Sequence, residues 1–250
     1  MADEIRSFFL DGPAGRLEAL LNGGVQGATH AAVVCHPHPL FGGTLHNKVV
    51  FHAMKTLNAF SFPVLRFNFR GAGLSAGSHD QGRGEVEDVR AALDWLDREF
   101  HLPMAFAGFS FGAWVGLRAC CADPRVAALI SLGTPVDVEG HAYAYDFLRQ
   151  CSKPKLFVSG ARDEFGPLGE VERIVATAAE PKRLVRVPVR TTSSQAACPP
   201  CKAPSMTGCR RRFPERASRY NPAACLSNLR TAADCSAKCG KRRRPSSGVP

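Results

Sequence analysis

The stretch FAGFSFGAW, Phe106–Trp114, decides the fold of this chain, because it places Ser110 between Gly108 and Gly112. The apolar run PMAFAG before the serine predicts a buried strand, and FGAWVGLRACC after it predicts a buried helix. A Gly-x-Ser-x-Gly at a strand-to-helix turn lifts a strained serine above a sheet, and its glycines let strand and helix pack closely. The motif therefore predicts a nucleophilic Ser110, with the N–H of Phe111 aimed at the oxyanion. The alternative is a tight turn that needs its glycines for packing alone.

Strands and helices alternate on both sides of this stretch. The segments IRSFFL and RLEALL predict a hairpin. Further strands are predicted for HAAVVCHP, FPVLRFNFRG, VAALISLG, KPKLFVSGARDE and KRLVRVP, and further helices for residues 46–59, EVEDVRAALDWLDREF and LGEVERIVATA. Most of these strands are continuous apolar runs, which indicates a mainly parallel sheet with helices on both faces.

Length and composition allow one α/β domain followed by a tail. The 250-residue chain is 45% hydrophobic, which is ordinary for a globular protein with a sizeable core. It has no apolar run of about 18 residues, and its first residues are acidic where a signal peptide is basic. We therefore expect a cytoplasmic protein with no membrane partner.

Charge and cysteine content change abruptly towards the C-terminus. Residues 1–189 have a net charge of −1, whereas residues 190–250 hold 13 Lys and Arg against 2 Asp and Glu. Six of the ten cysteines also lie in this last part. We therefore expect a domain over 1–188 and a basic, disordered tail over 189–250. The overall charge of +10 then says nothing about the substrate of the domain.

The composition of the tail disfavours two specific functions for it, a zinc site and nucleic-acid binding. Cys198 and Cys201, together with Cys235 and Cys239, suggest zinc, but the second pair has three intervening residues and no strand pattern around it. The runs CRRR and KRRRP suggest nucleic acid. A disordered tail explains both, so we expect neither a metal nor a nucleic-acid partner.

A histidine- and proline-rich loop, CHPHPLFGGTLHNKVV at Cys35–Val50, follows the third predicted strand. A loop in this place can supply a second N–H to the oxyanion. Pro37 and Pro39 have no N–H, so the donor is His38, Leu40 or a later residue, and we favour Leu40. No carboxylate or cysteine cluster accompanies the histidines, so we expect no metal here.

Four stretches carry a resemblance to a known family: VCHPHPLFGGTLHNKVV, RFNFRGAGLSAGSHDQGRGEVEDVRAALDWL, AGFSFGAWVGLRAC and KLFVSGARDEFGP. Over about residues 5–188 the chain resembles the bacterial α/β-hydrolase superfamily, and within it the small, lid-poor hydrolases related to dienelactone hydrolases and serine aminopeptidase-like domains. The resemblance implies an α/β-hydrolase fold, incomplete at its C-terminal end. It also implies hydrolysis of a small-molecule ester, thioester or amide without a cofactor.

The resemblance assigns two catalytic roles. Ser110 matches the nucleophile, and Asp163, just past the strand KLFVSG, matches the acid of a triad in the order Ser, Asp, His. Asp163 also fits a turn or capping residue before a helix near Leu168. The segment Val136–Gln150 interrupts the alternation above the sheet and is expected to shape the substrate site, although its aromatic residues fit packing equally well.

The histidine of the family pattern is missing. It belongs on the loop after the last strand, within a few residues of Pro188, but the last histidine of the chain precedes that loop. A serine without a base beside it is a poor nucleophile. The candidates for a substitute base are His36, His38, His79 and His141. The family fold places none of them beside the serine.

A shifted reading frame accounts for the missing histidine. Back-translation of residues 188–198 with GC-rich codons, read one base earlier, gives Gly-Ala-Asp-His-Phe-Phe-Ala-Gly-Arg-Leu, which is the kind of segment that the family places after its last strand. The histidine codon straddles Thr191 and Thr192. We therefore expect a frameshift, genuine or a sequencing error, and an inactive serine hydrolase. The rival interpretation is a non-catalytic scaffold or a non-functional translation product.

Overall fold

The computed structural model describes residues 5–138 and 141–188 of the chain. The predicted tail at 189–250, with its cysteine pairs, its arginine runs and the shifted frame, lies outside the described residues.

One eight-stranded sheet forms the centre of the fold. The strands of the chain are β1 (Ile5–Gly12), β2 (Gly15–Asn22), β3 (Ala31–Cys35), β4 (Val64–Phe67), β5 (Met104–Phe109), β6 (Val126–Leu132), β7 (Asp137–Val138), β8 (His141–Ala142), β9 (Lys155–Gly160) and β10 (Lys182–Val187). The large sheet has the order β1-β2-β4-β3-β5-β6-β9-β10, and β7 pairs with β8 separately. β1 and β2 form the predicted hairpin, β2 is antiparallel to β4, and all neighbours from β4 to β10 are parallel. The predicted mainly parallel sheet is confirmed.

Helices cover both faces of this sheet, as the sequence predicts. They are α1 (Lys48–Asn58), α2 (Arg83–Phe100), α3 (Phe111–Cys120) and α4 (Leu168–Thr177), with short 3-10 helices at Pro39–Phe41 and Asp146–Gln150. The side chains of β3 alternate between the faces, so that Val34 packs in the cluster with α1 and Val33 in the cluster with the other three helices. Over the described ranges, no helix has the length and apolarity needed to cross a membrane.

The position of a site follows from the strand order. β4 lies on one side of β3, and β5, β6, β9 and β10 lie on the other. In open α/β sheets, ligands bind at such a reversal, in the crevice beyond the carboxyl ends of the strands. The serine turn after β5 and the loop after β3 both lie at this point.

The segment Val136–Gln150 packs into the core through its aromatic residues. The side chains of Tyr143 and Tyr145 are both buried, and the Tyr145 hydroxyl donates a hydrogen bond of 2.8 Å to the carbonyl of Pro135. The sequence allows two roles for these rings, which are to shape the substrate site or to pack in the core. The structure shows packing for Tyr143 and Tyr145.

Candidate active site

Ser110 occupies the single residue between β5 and α3. Its backbone has φ 52° and ψ −123°, which is a strained conformation for a residue with a side chain and costs about 1–3 kcal/mol. Two hydrogen bonds hold it there: its N–H donates to the carbonyl of Leu132 at 2.9 Å, and its own carbonyl accepts from the N–H of Ala113 at 2.8 Å. The serine is therefore fixed between the end of β6 and the first turn of α3.

The two flanking glycines are required by close backbone approaches. A Cβ at Gly108 would lie 2.5 Å from the carbonyl oxygen of Gly112. A Cβ at Gly112 would lie 2.3 Å from the carbonyl oxygen of His36, at the end of β3. The glycines thus bring the start of α3 onto β5 and onto the loop after β3, which places that loop beside the serine.

The N–H of Phe111 is suited to bind an anion. Phe111 is the first residue of α3, so helix geometry gives its N–H no intrahelical acceptor. The N-terminus of a helix also carries a partial positive charge. Phe111 directly follows the serine, so this N–H belongs to the same turn as Ser110.

The loop after β3 closes on itself through its own N–H groups. The N–H of Leu40 donates to Nδ1 of His38 at 3.3 Å, and those of Phe41 and Gly43 donate to the carbonyl of His38 at 3.1 and 3.0 Å. The Leu40 side chain is 70% exposed. The oxyanion role of Leu40 therefore stays a prediction, and in this structure its N–H is already engaged.

A histidine pair supports this loop against α3. The ring of His38 lies 4.7 Å from the ring of Phe111 and 4.7 Å from that of His79, centroid to centroid. Nδ1 of His79 is 2.8 Å from Oε1 of Glu85, within ion-pair distance but without hydrogen-bond alignment. The fully buried Glu85 carboxylate also accepts from the N–H groups of Asp80 and Gly82, both at 2.8 Å. Glu85 thus links the start of α2 to the histidine pair.

His36 is a structural histidine. Its Nε2 accepts a 2.9 Å hydrogen bond from the N–H of Phe69, so its Nδ1 carries the proton and donates to the carbonyl of Pro37 at 2.6 Å. Burial lowers the pKa of His36 to about 4. One ring nitrogen joins the ends of β3 and β4 and the other is held within the loop after β3, so His36 does not serve as a substitute base.

Asp163 lies in the turn after β9, two strands from the serine. Its Oδ1 accepts from the N–H groups of Phe165 and Gly166 at 3.1 and 3.2 Å, so the turn role is present. Its Oδ2 would lie 3.3 Å from a Cβ at Gly133, the residue after β6. Burial raises the pKa of Asp163, and the two N–H donors oppose that shift. The Ser110 N–H bonds to the carbonyl of Leu132, and Leu132 directly precedes Gly133. The serine turn and the Asp163 carboxylate therefore both lie against the end of β6.

Histidine is the part that the described site lacks. Among the imidazoles that the structure describes, none is hydrogen-bonded to the Ser110 hydroxyl. His38 and His79 lie on the Phe111 side of the turn, whereas Asp163 lies on the Gly133 side. His141 begins β8, and its side chain lies outside the described part. The same described ranges contain no group of three or more His, Cys, Asp or Glu side chains that could hold a metal ion.

Sequence reasoning missed the Glu85–His79 pair and the structural role of His36. Glu85 and Asp80 lie in the stretch HDQGRGE, which the sequence analysis used only as a part of the family resemblance. The sequence shows that Glu85 opens a predicted helix and lies six residues after His79. What the sequence does not show is that the loop before α2 folds back to bring the two together.

The chain is similar to known proteins over most of its described residues. A family model for an alpha/beta hydrolase domain matches residues 41–185, more than half of the chain. The chain belongs to the α/β-hydrolase family. An uncharacterized protein of Rickettsia prowazekii is 37% identical to it over 169 residues, which make up 67% of this chain and 71% of that protein. The predicted α/β-hydrolase fold is therefore confirmed.

Two solved structures are similar over most of the described domain. An alpha-beta serine hydrolase homologue from Coxiella burnetii is 38% identical with a TM-score of 0.67, and the match covers 74% of this chain and 87% of that one. A serine hydrolase without a lid from Xanthomonas campestris is 34% identical with a TM-score of 0.66, and the match covers 76% and 86%. An esterase from Pyrococcus furiosus, 16% identical with a TM-score of 0.64, shares the fold.

Proposed function

We propose that this domain is built as a serine hydrolase with Ser110 as its nucleophile. The observation that carries the proposal is the strained backbone of Ser110 at the reversal point of the sheet. Strain of this kind persists only where the surroundings enforce it, and it clusters at catalytic positions. Two close glycine contacts and two backbone hydrogen bonds enforce it here. The similarity to the Coxiella and Xanthomonas serine hydrolases supports the same role.

Two backbone N–H groups form the proposed oxyanion hole. Phe111 N–H, at the start of α3, is the first. The sequence favours Leu40 as the second, but the N–H of Leu40 donates to His38 Nδ1, and the His38 ring lies against Phe111. We therefore propose the N–H of His38 as the second donor, with Leu40 as the alternative that a variant can test.

Asp163 is proposed as the acid that orients a catalytic histidine. One carboxylate oxygen is held by the N–H groups of its own turn, and the other lies beside Gly133, next to the serine turn. A carboxylate fixed in this way can hold an imidazole in one tautomer. The imidazole takes the serine proton during attack on the carbonyl and returns it to the leaving group.

The chain does not supply that imidazole on the loop where the family pattern requires it. The last histidine in the sequence is His141, before β9 and β10. The serine hydroxyl then has no base, and the leaving group has no acid. Loss of one triad member lowers turnover by about 10⁴-fold or more. We propose that a frameshift after Pro188 caused this loss and that the hydrolase domain ends there; the family match, which stops at residue 185, supports that boundary.

The proposed substrate is a small-molecule ester, thioester or amide with an apolar group. Leu40 and Phe41 on one side of the serine, and Phe165 beside Asp163 on the other, are 70, 57 and 55% exposed. An apolar acyl or aromatic group would cover these side chains. A cytoplasmic location is part of the proposal, as are the absence of a cofactor and of a nucleic-acid partner.

A non-catalytic scaffold is the second candidate, and the missing histidine is what favours it. The two candidates make different predictions for a chain in which Gly-Ala-Asp-His-Phe-Phe and the rest of the shifted frame follow Pro188. Hydrolysis of a short p-nitrophenyl ester should rise at least 10³-fold over the 250-residue chain and disappear again with Ser110→Ala. Equal, low hydrolysis by both chains would favour the scaffold.

A further inference from the structure

Three thiols gather at the end of α3 that lies away from the serine. Cys120 is the last residue of α3, Cys121 caps the helix, and Cys151 lies just before β9. The Cys151 thiol donates to the carbonyl oxygen of Cys121 over 4.0 Å, which places the two cysteines side by side. Two cysteines far apart in sequence are thus neighbours, although neither has a part in the proposed hydrolase site.

Two lysines surround this thiol pair. The ammonium of Lys155 donates to the carbonyl of Cys151 at 2.6 Å and to that of Ala179 at 2.8 Å. The ammonium of Lys153 bonds to the carbonyl of Val126 at 2.6 Å. Positive charge and hydrogen-bond donors stabilise a thiolate. The Cys121 thiol and the two lysines lower the pKa of Cys151 against the effect of burial, whereas the neighbouring Cys151 thiol and burial raise the pKa of Cys121. Cys151 is therefore the thiolate of the pair and Cys121 the thiol.

The other cysteines of the described domain differ from this pair. Cys120 and Cys35 are fully buried, and burial raises the pKa of each thiol well above its ordinary value. Neither thiol is within reach of a reagent, so both are unreactive. Cys121 is half-buried, so a small reagent can reach the pair from its side, whereas Cys151 is only 3% exposed.

We propose that Cys121 and Cys151 form a redox-active dithiol, which a hydroperoxide oxidises to an intramolecular disulfide. Hydrogen peroxide enters beside the half-buried Cys121, and the thiolate of Cys151 attacks one of its oxygens. The O–O bond breaks, and the leaving hydroxide takes up a proton to become water. The resulting sulfenic acid is attacked by the second thiol, which forms the S–S bond and releases a second water. Two thiols lose two electrons in total, and one peroxide is reduced to two waters.

The disulfide would tie together parts of the fold that are distant in sequence. It closes a loop from residue 121 to residue 151, which contains β6 and the segment Val136–Gln150. It also fixes the C-terminal end of α3 to the chain that enters β9. Cross-linking restricts the unfolded chain, so the oxidised protein should melt at a higher temperature than the reduced one. This inference does not depend on the proposed hydrolase function.

Peptide mapping of the full 250-residue chain tests the proposal. The reduced protein is treated with a small excess of hydrogen peroxide, remaining thiols are blocked with iodoacetamide, and a tryptic digest is analysed by mass spectrometry without reduction. Cleavage after Arg118 and Arg125, and after Arg149 and Lys155, gives the peptides ACCADPR and QCSKPK. The expected product is these two peptides joined, lighter by two hydrogens, and separated again by dithiothreitol.

Variants identify the cysteines and exclude the tail. Cys120 lies in the same peptide as Cys121, so Cys120→Ser should keep the cross-link, whereas Cys121→Ser and Cys151→Ser should abolish it. The increase in melting temperature on oxidation should follow the same pattern. A cross-link that survives Cys121→Ser, pairing of either cysteine with one of the six tail cysteines, or oxidation of both thiols without a link would each overturn the proposal.

Discussion

The two ends of helix α3 hold two nucleophilic side chains in opposite electrostatic surroundings. At the N-terminal end, Ser110 lies beside free helix N–H groups and a partial positive charge that come with the backbone. At the C-terminal end, the partial charge of the helix is negative and disfavours a thiolate at Cys121. The thiolate forms instead on the neighbouring Cys151, where Lys153 and Lys155 lower the pKa. The comparison teaches that the fold itself prepares the serine end for anions, whereas the thiol end depends on particular side chains.

The largest expected effect is at the serine end. In the frame-restored chain, Asp163→Asn should lower ester turnover by about 10⁴-fold, because an amide cannot hold the histidine in its working tautomer. The amide oxygen can still accept from Phe165 and Gly166, so the melting temperature should hardly change. Steady-state kinetics with a short p-nitrophenyl ester measures the effect. Asp146→Asn, on an exposed 3-10 helix, is the matched control, and an equal loss there would remove the special role of Asp163.

Close packing at the serine turn gives the next largest effect. Gly112→Ala should lower the free energy of unfolding by about 3 kcal/mol or more, because its Cβ meets the His36 carbonyl oxygen and neither backbone can retreat. Gly169→Ala is the control: no atom lies within 4 Å of a Cβ there, and the residue is in α4, so stability should rise by about 0.5–1 kcal/mol. Urea denaturation measures both. If Gly112→Ala were as stable as the parent, the tight turn would not exist as described.

Acid should weaken the hydrogen bond that His36, in the loop after β3, accepts from the N–H of Phe69, which follows β4. The pKa of His36 is lowered to about 4 in the folded protein, below its ordinary value of 6.5, so the unfolded chain takes up a proton first as the pH falls. Its contribution to stability is complete above about pH 6.5 and is lost between there and about pH 4, a change of about 3 kcal/mol.

Urea denaturation at several pH values measures this change by comparison with variants. His36→Gln should flatten the fall in stability between pH 6.5 and pH 4, whereas His46→Gln, at an exposed position, should leave it as it is. A fall of the same size in all three proteins would assign it to carboxyl groups instead.

The smallest expected effect concerns the loop donor of the oxyanion hole. Leu40→Pro removes the N–H of residue 40, which in this structure donates to His38 Nδ1. If His38 N–H is the donor, turnover of the frame-restored chain should stay within a few-fold of its parent. A loss of turnover of about 10²–10³-fold would instead indicate that the N–H of Leu40 is the loop donor of the oxyanion hole.

The sheet and the serine turn could be predicted from the sequence because their signals are local. Continuous apolar runs fix buried parallel strands, and the glycines at 108 and 112 mark the close contacts that the structure shows. The state of His36 could not be predicted in this way. Its neutral form depends on an N–H from Phe69, 33 residues away, and on burial from every side. The contact of Cys121 with Cys151 is equally non-local, since it needs the segment Val136–Gln150 to fold back.

Labelling of Ser110 by a fluorophosphonate tests the central claim most directly. The account predicts negligible labelling of the 250-residue chain, because no base activates the serine, and strong labelling at Ser110 once the frame after Pro188 is restored. Ser110→Ala in the restored chain should abolish the signal. Strong labelling of the unrepaired chain, lost on replacement of His38, His79 or His141, would contradict the account of an inactivated hydrolase and would show that another histidine serves as the base.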